Sequence, residues 1–173
     1  MSRLHITVCA LAGILIGAGL PPYASAQTQS SSGQKKGLAM TMHAAGSFDV
    51  KTTPLLQEDA TAGTAIGRYA LDKQYHGGLE AGSKGEMLGA GSPATGTAGY
   101  VAIEQATGTL NGRKGSFALQ HTGTMEQGKF ALIVKIVPGS GTGELADIAG
   151  EMIITIAAGK HSYTLDYTLP AAP

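Results

Sequence analysis

The sequence holds one cysteine in 173 residues, no tryptophan, and aromatics at only 5% of the chain. The cysteine, Cys9, falls inside an N-terminal stretch that reads as a cleaved leader, MSRLHITVCALAGILIGAGLPPYASA. The chain left after cleavage has no disulfide, no thiolate metal site and no cysteine nucleophile, even in a compartment where disulfides form. Its stability has to come from burial. Charge is also scarce and evenly split, 12 basic against 12 acidic residues. Without a basic excess, and with few rings for bases to stack on, the composition argues against nucleic acid as a partner. No window of 11 or more residues carries a helical i, i+3, i+4 stripe.

What is present at the N-terminus is ordered like a secretory signal: Arg3, an apolar run from Ile6 to Leu20, the Pro21-Pro22 break, then small residues at Ala24 and Ala26. The run of about 15 residues is short of the roughly 20 that span a bilayer. Cys9 stands too early to be a lipoprotein cysteine. The expectation is residues 1–26 as signal peptide and an exported chain, periplasmic or secreted, with no membrane attachment after cleavage. QTQSSSGQKKG, residues 27–37, lacks apolar side chains to repay ordering and reads as a flexible polar linker. Residues 38–170 are then a single domain, and a chain of this size is long enough to bury a core of its own.

In that domain the period is two and the punctuation is glycine. Strands are expected at about 39–51, 66–80, 83–90, 97–109, 115–126, 130–137, 151–157 and 161–168, with one helical turn at 144–149 after GSGTG. Eight consecutive strands with short connections cannot be parallel, since parallel neighbours need crossovers of a dozen or more residues. The fold class is all-β, an antiparallel meander. At this strand number closure into a barrel removes the edges and leaves room for side chains or one small ligand; a sandwich is the alternative. An internal echo, TGTL at 107–110 before Gly115 and TGEL at 142–145 before Gly150, reads with Gly85 as equivalent turns of the meander.

Chemistry-bearing motifs are few. His43, His76, His121 and His161 show no metal-ligand spacing, so neither metal nor cofactor is expected. No serine sits in a G-x-S-x-G elbow, and GSGTG lacks the helix and lysine of a phosphate loop. Strand alternation is more informative. In YALDKQYHGGLEAGSKGEML, residues 69–88, Lys73 shares a face with Tyr69, Leu71 and Tyr75, whereas Asp72, Gln74, His76 and Glu80 look like the wet side. Further along, Tyr100, Ala102 and Glu104 share a face, as do Ser116, Ala118, Gln120 and Thr122; Phe117, Leu119, His121 and Met125 oppose the latter. Two arrangements stay open. Large apolar faces could fill the barrel and leave Glu104 and Gln120 outside. Alternatively, Tyr100, Glu104 and Gln120 could line a polar lumen, with Val101, Ile103, Phe117 and Leu119 needing cover from a partner subunit. A buried Glu104 would need a cation or donor, from Lys73, Arg113 or His121. The ligand-binding candidates are Lys73, Glu86, Tyr100, Glu104, Gln120 and His121; no catalytic residue is assignable.

Four runs, LDKQYHGGLEAGSKGEML, GYVAIEQATGTLNGRKGSFALQHTGTM, VPGSGTGELADIAGEM and GKHSYTLDYTLP, resemble the small bacterial family called domain of unknown function 3224, over roughly residues 40 to 170. That family resembles the allene oxide cyclase and dirigent barrels, and the resemblance implies an eight-stranded antiparallel barrel. Asp147 stands where the family's GELAGLAG turn has glycine, and the exported N-terminus is a second departure. Barrel kinship does not transfer chemistry. Three functions follow for comparison: binding of a small, partly apolar molecule, isomerase or cyclase chemistry like that of allene oxide cyclase, and a structural homo-oligomer without ligand.

Overall fold

The computed structural model describes residues 40–57 and 66–170; the expected signal peptide and linker lie outside them. Eight strands follow one another: β1 (Met42–Gln57), β2 (Ile66–Gly77), β3 (Leu79–Ser92), β4 (Thr97–Leu110), β5 (Arg113–Glu126), β6 (Lys129–Ile136), β7 (Ala149–Ala157) and β8 (Lys160–Thr168). Each pairs antiparallel with the next, and β8 returns to pair with β1, closing the barrel. The number and direction of strands are those expected from the period of two. Two boundaries differ. β1 runs on to Gln57, and the β2–β3 turn falls at Gly77-Gly78 rather than after Glu80. Gly77 has a φ of 106° and donates its N–H to Glu80 Oε1 at 2.6 Å, so the carboxylate of Glu80 staples a turn that its own residue lies beyond.

The echoing glycines are not turns. Gly85, Gly115 and Gly150 lie inside β3, β5 and β7, where an added Cβ would strike the carbonyl oxygen of Ile103, Thr142 or Asp166. Close backbone approach, from a neighbouring strand at Gly85 and Gly150 and from the β6–β7 connection at Gly115, is what these glycines share. The tight turns lie elsewhere. Asn111-Gly112, Gln127-Gly128 and Ala158-Gly159 each have positive φ at both residues, 47° and 81°, 50° and 76°, and 49° and 75°. Such primed turns match the right-handed twist of hairpin strands.

Alternation along every strand sends one set of side chains into the lumen. Tyr75, Leu79, Leu110, Phe117, Leu119, Leu165 and Tyr167 are almost completely buried there. The two ends of the barrel differ. At the end carrying the β2–β3 and β4–β5 turns, the long β6–β7 connection folds back along β5, where Val137 and Thr142 donate their N–H groups to the carbonyls of Ala118 and Ser116. A 3-10 turn, Gly143–Leu145, then drives Leu145 and Ile148 into the core. That end is sealed. Asp147, just after the turn, has a φ of 58°, the left-handed conformation for which glycine is the least strained residue. The family's glycine at this position is accounted for by that angle.

Candidate functional site

Above the sealed end, the lumen holds a group of polar side chains rather than more hydrocarbon. β2 contributes Lys73 and Tyr75, β3 Ser83, β4 Glu104 and β5 His121. The placement follows from register. Gly85 lies opposite Glu104, and a Cβ on Gly85 would come within 2.6 Å of the Glu104 Cβ, so glycine here lets β4 approach closely enough to lean its carboxylate towards β2 and β3. His121 lies opposite Ala102, whose small side chain leaves the imidazole room on the inward face.

Glu104 is the hub. Its Oε1 accepts from Lys73 Nζ at 2.7 Å, Tyr75 Oη at 2.8 Å and His121 Nε2 at 2.9 Å, and its Oε2 accepts a short hydrogen bond from Ser83 Oγ. The Lys73 and Glu104 side chains are 6% and 0% exposed, so this is a buried ion pair and not a surface one. Burial alone pushes the Glu104 carboxyl up. The His121 hydrogen bond, the Lys73 charge and the donors of Lys73 and Ser83 outweigh that and hold it at about 2. Burial and the Glu104 charge both raise the Tyr75 phenol, and it remains a neutral donor. The Lys73 ammonium also sits 5.0 Å from the Phe48 ring centroid and 5.8 Å from that of Tyr75, within cation–π range. Every fully buried side-chain nitrogen and oxygen in the described residues has a partner.

Over this floor a cavity of about 120 Å³ opens towards the other end of the barrel. Phe48, Val50, Leu71, Leu132 and Ile154 form its sides, with Lys73 and His121 below. It shares Met87, Tyr100 and Phe130 with a second cavity of about 390 Å³ beneath the β3–β4 connection. Tyr100 stacks on Phe130 with centroids 6.5 Å apart and planes 11° apart. Glycines shape this end. A Cβ on Gly123 would come within 2.2 Å of the Tyr100 ring, and one on Gly67 within 2.6 Å of the Tyr69 hydroxyl, so both rings can lie flat against the barrel wall.

Of the six candidates, Lys73, Glu104 and His121 meet at the floor and Tyr100 stands on the wall above them. Glu86 and Gln120 are corrected to the outside. Glu86 is exposed and paired in a two-pronged contact with Arg68, whose hydrogen bond and charge lower its carboxyl. Gln120 lies opposite Ile103 and faces outward with it. Neither arrangement of faces holds as framed. The β4–β5 register sets Glu104 against Leu119 and Ala102 against His121, so the lumen combines the small and polar face of β4 with the large apolar face of β5. Residues directly opposite in an antiparallel pair share a face, and register is what alternation within single strands does not supply. Tyr75 and Ser83 were missed. Tyr75 carried a signal, sharing the face of Lys73; Ser83, between glycines, carried none. Among the described residues no group of three or more His, Cys, Asp or Glu side chains is placed to hold a metal.

The class of protein this defines is a closed eight-stranded antiparallel barrel, sealed at one end, with a buried lysine–glutamate–histidine floor facing the other. The chain belongs to the family described as protein of unknown function DUF3224, whose model matches residues 44–167. It is similar to a crystal structure of a DUF3224 protein with unknown function from Shewanella oneidensis MR-1: 47% identity, TM-score 0.71, covering 76% of this chain and 100% of that one. No curated protein matches the sequence.

Proposed function

We propose that this barrel binds a small, partly apolar molecule at its open end, and that the chain is exported. The observation carrying the reading is an apolar-walled cavity whose floor is a charge-balanced pair, Lys73 and Glu104, with His121 beside it. Apolar walls with a few convergent polar groups are the usual form of a small-molecule site. The larger of the two adjoining spaces, about 390 Å³, is in the size range where such sites begin, roughly 300 Å³. Binding fits better than isomerase or cyclase chemistry carried by Glu104. With four donors on its two oxygens and its carboxyl held at about 2, Glu104 is a poor proton acceptor near neutrality. Export is read from the N-terminal signal pattern.

Native mass spectrometry of the protein purified from its own periplasm tests both parts. A bound small molecule on a chain beginning at Gln27 supports the reading. An empty barrel, or a chain retaining residues 1–26, contradicts the corresponding half.

A second reading, a homo-oligomer, is favoured by the outer wall. Leu88, Val101, Thr122 and Ile133 are consecutive cross-strand neighbours over β3 to β6, with Ile103 one row away. Leu88, Val101, Ile103 and Ile133 are about half exposed. Sedimentation of wild type and Val101→Glu decides it: a larger species lost on substitution supports an oligomer, and a wild-type monomer refutes it.

A further inference from the structure

The polar groups on the cavity wall are all of one kind. Lys73 and His121 at the floor and Tyr100 and His161 above them are donors or bases, and among the described residues no carboxylate lines the space. The adjoining cavity adds Tyr69 and Thr124 and, among the described residues, again no carboxylate. Glu104 is held behind Lys73 and His121 with both of its oxygens taken. Lys73 has three N–H donors; one goes to Glu104 and one, at 3.5 Å, to the Tyr75 oxygen. The third has no partner among the described residues, and Lys73 lines the cavity.

His121 is in the same position. Its Nε2 faces an ionised carboxylate oxygen and so carries the proton, which leaves Nδ1 as a lone pair in the neutral ring. Among the described residues Nδ1 has no hydrogen-bond partner. The His121 ring lines the cavity.

Resting on the ligand-binding reading above, we infer that the ligand is an organic carboxylate with an apolar body, and that its binding is accompanied by uptake of one proton at His121 Nδ1. The charge count requires the proton. Lys73 and Glu104 cancel, so with neutral His121 the floor has no net charge, and a carboxylate brought down among Phe48, Val50, Leu132 and Ile154 would be an uncompensated anion. Protonation of Nδ1 supplies the missing positive charge and a second donor. Lys73 Nζ and His121 Nδ1 then meet the two carboxylate oxygens.

Among the described residues, the titratable and charged groups around His121 are Glu104 and Tyr100 on β4, Lys73 and Tyr75 on β2 and His161 on β8; β6 presents Leu132 and Val134. Of these, only His161 is a second imidazole. It stands at the rim, tilted against Phe48 with centroids 5.0 Å and planes 33° apart.

The test is calorimetric titration with octanoate and with octanamide from pH 6 to 8, on wild type, His121→Gln and His161→Gln. Octanoate affinity is expected to fall with rising pH, by up to about tenfold per unit, because each octanoate bound takes up one proton. Octanamide affinity should stay flat. The octanoate slope should vanish in His121→Gln and persist in His161→Gln. Two buffers of different ionisation enthalpy give the proton count on the wild type without any substitution; a count near one at the alkaline end supports the inference. Octanamide binding with no octanoate binding, or octanoate binding with no proton uptake, overturns it and leaves the cavity reading standing. Binding of neither compound counts against both.

Discussion

Replacing Glu104 by glutamine keeps the shape of the floor and removes its one negative charge. The Lys73 ammonium, with a side chain 6% exposed and its counter-ion 2.7 Å away, is then left in the lumen without compensation. Breaking a buried pair from one side costs about 3–5 kcal/mol. The carboxyl gives a separate measure: its displacement from 4.5 to about 2 corresponds to about 3 kcal/mol of preference for the ionised form in the folded state. The two figures agree in size. Because the folded value is depressed, this stabilisation is fully present above about pH 4.5 and is lost as pH falls through about 2. Urea denaturation of wild type, Glu104→Gln, Lys73→Met and the double variant between pH 2 and pH 7 measures it. Glu104→Gln is expected to lose about 3–5 kcal/mol at pH 7 and to decline less than the wild type below pH 4.5, by the part that Glu104 contributes. Lys73→Met/Glu104→Gln should recover most of the loss, since it removes both charges. A single variant within about 1 kcal/mol of wild type, or a double variant no better than the single, would refute the claim that the pair's mutual compensation holds the floor together.

Other parts of the fold give smaller expectations. Asp147→Gly, which relieves a φ of 58°, should raise stability by about 0.5–1 kcal/mol in thermal or urea melts. Ala158→Asn should do the same at the β7–β8 turn, where alanine holds a φ of 49° before Gly159 and asparagine is the favoured residue. Leu145→Ala unplugs the sealed end, and since Leu145 is 1% exposed a loss of about 2–5 kcal/mol is expected in the same assay. An unchanged melt in any of these cases counts against the local account given for it.

Strand number and direction were legible in the sequence because each strand carries its own period of two, and short connections leave no alternative to antiparallel pairing. Lys73 was placed on an inward face by the same local rule, between Leu71 and Tyr75. Glu104 and His121 were less accessible. Their shared face depends on pairing Glu104 with Leu119, a relation between strands fixed by the Asn111-Gly112 turn. The β2–β3 boundary was misplaced because a run with glycines at 77, 78, 82 and 85 offers several turns, and a hydrogen bond from the Gly77 N–H to Glu80 supports one of them. Gly85, Gly115 and Gly150 looked like turns because in sequence a glycine that permits close approach is indistinguishable from one that reverses the chain.

The central claim is that the ligand occupies the space above Lys73 and His121. Leu132 lines that space from β6 and is only partly buried. Leu132→Trp should fill the cavity while leaving the floor intact. Native mass spectra of wild type and Leu132→Trp, purified identically from the cells that make them, should show a bound small molecule on the wild type and none on the folded variant. The same bound mass on both proteins, or none on the wild type, would contradict the account.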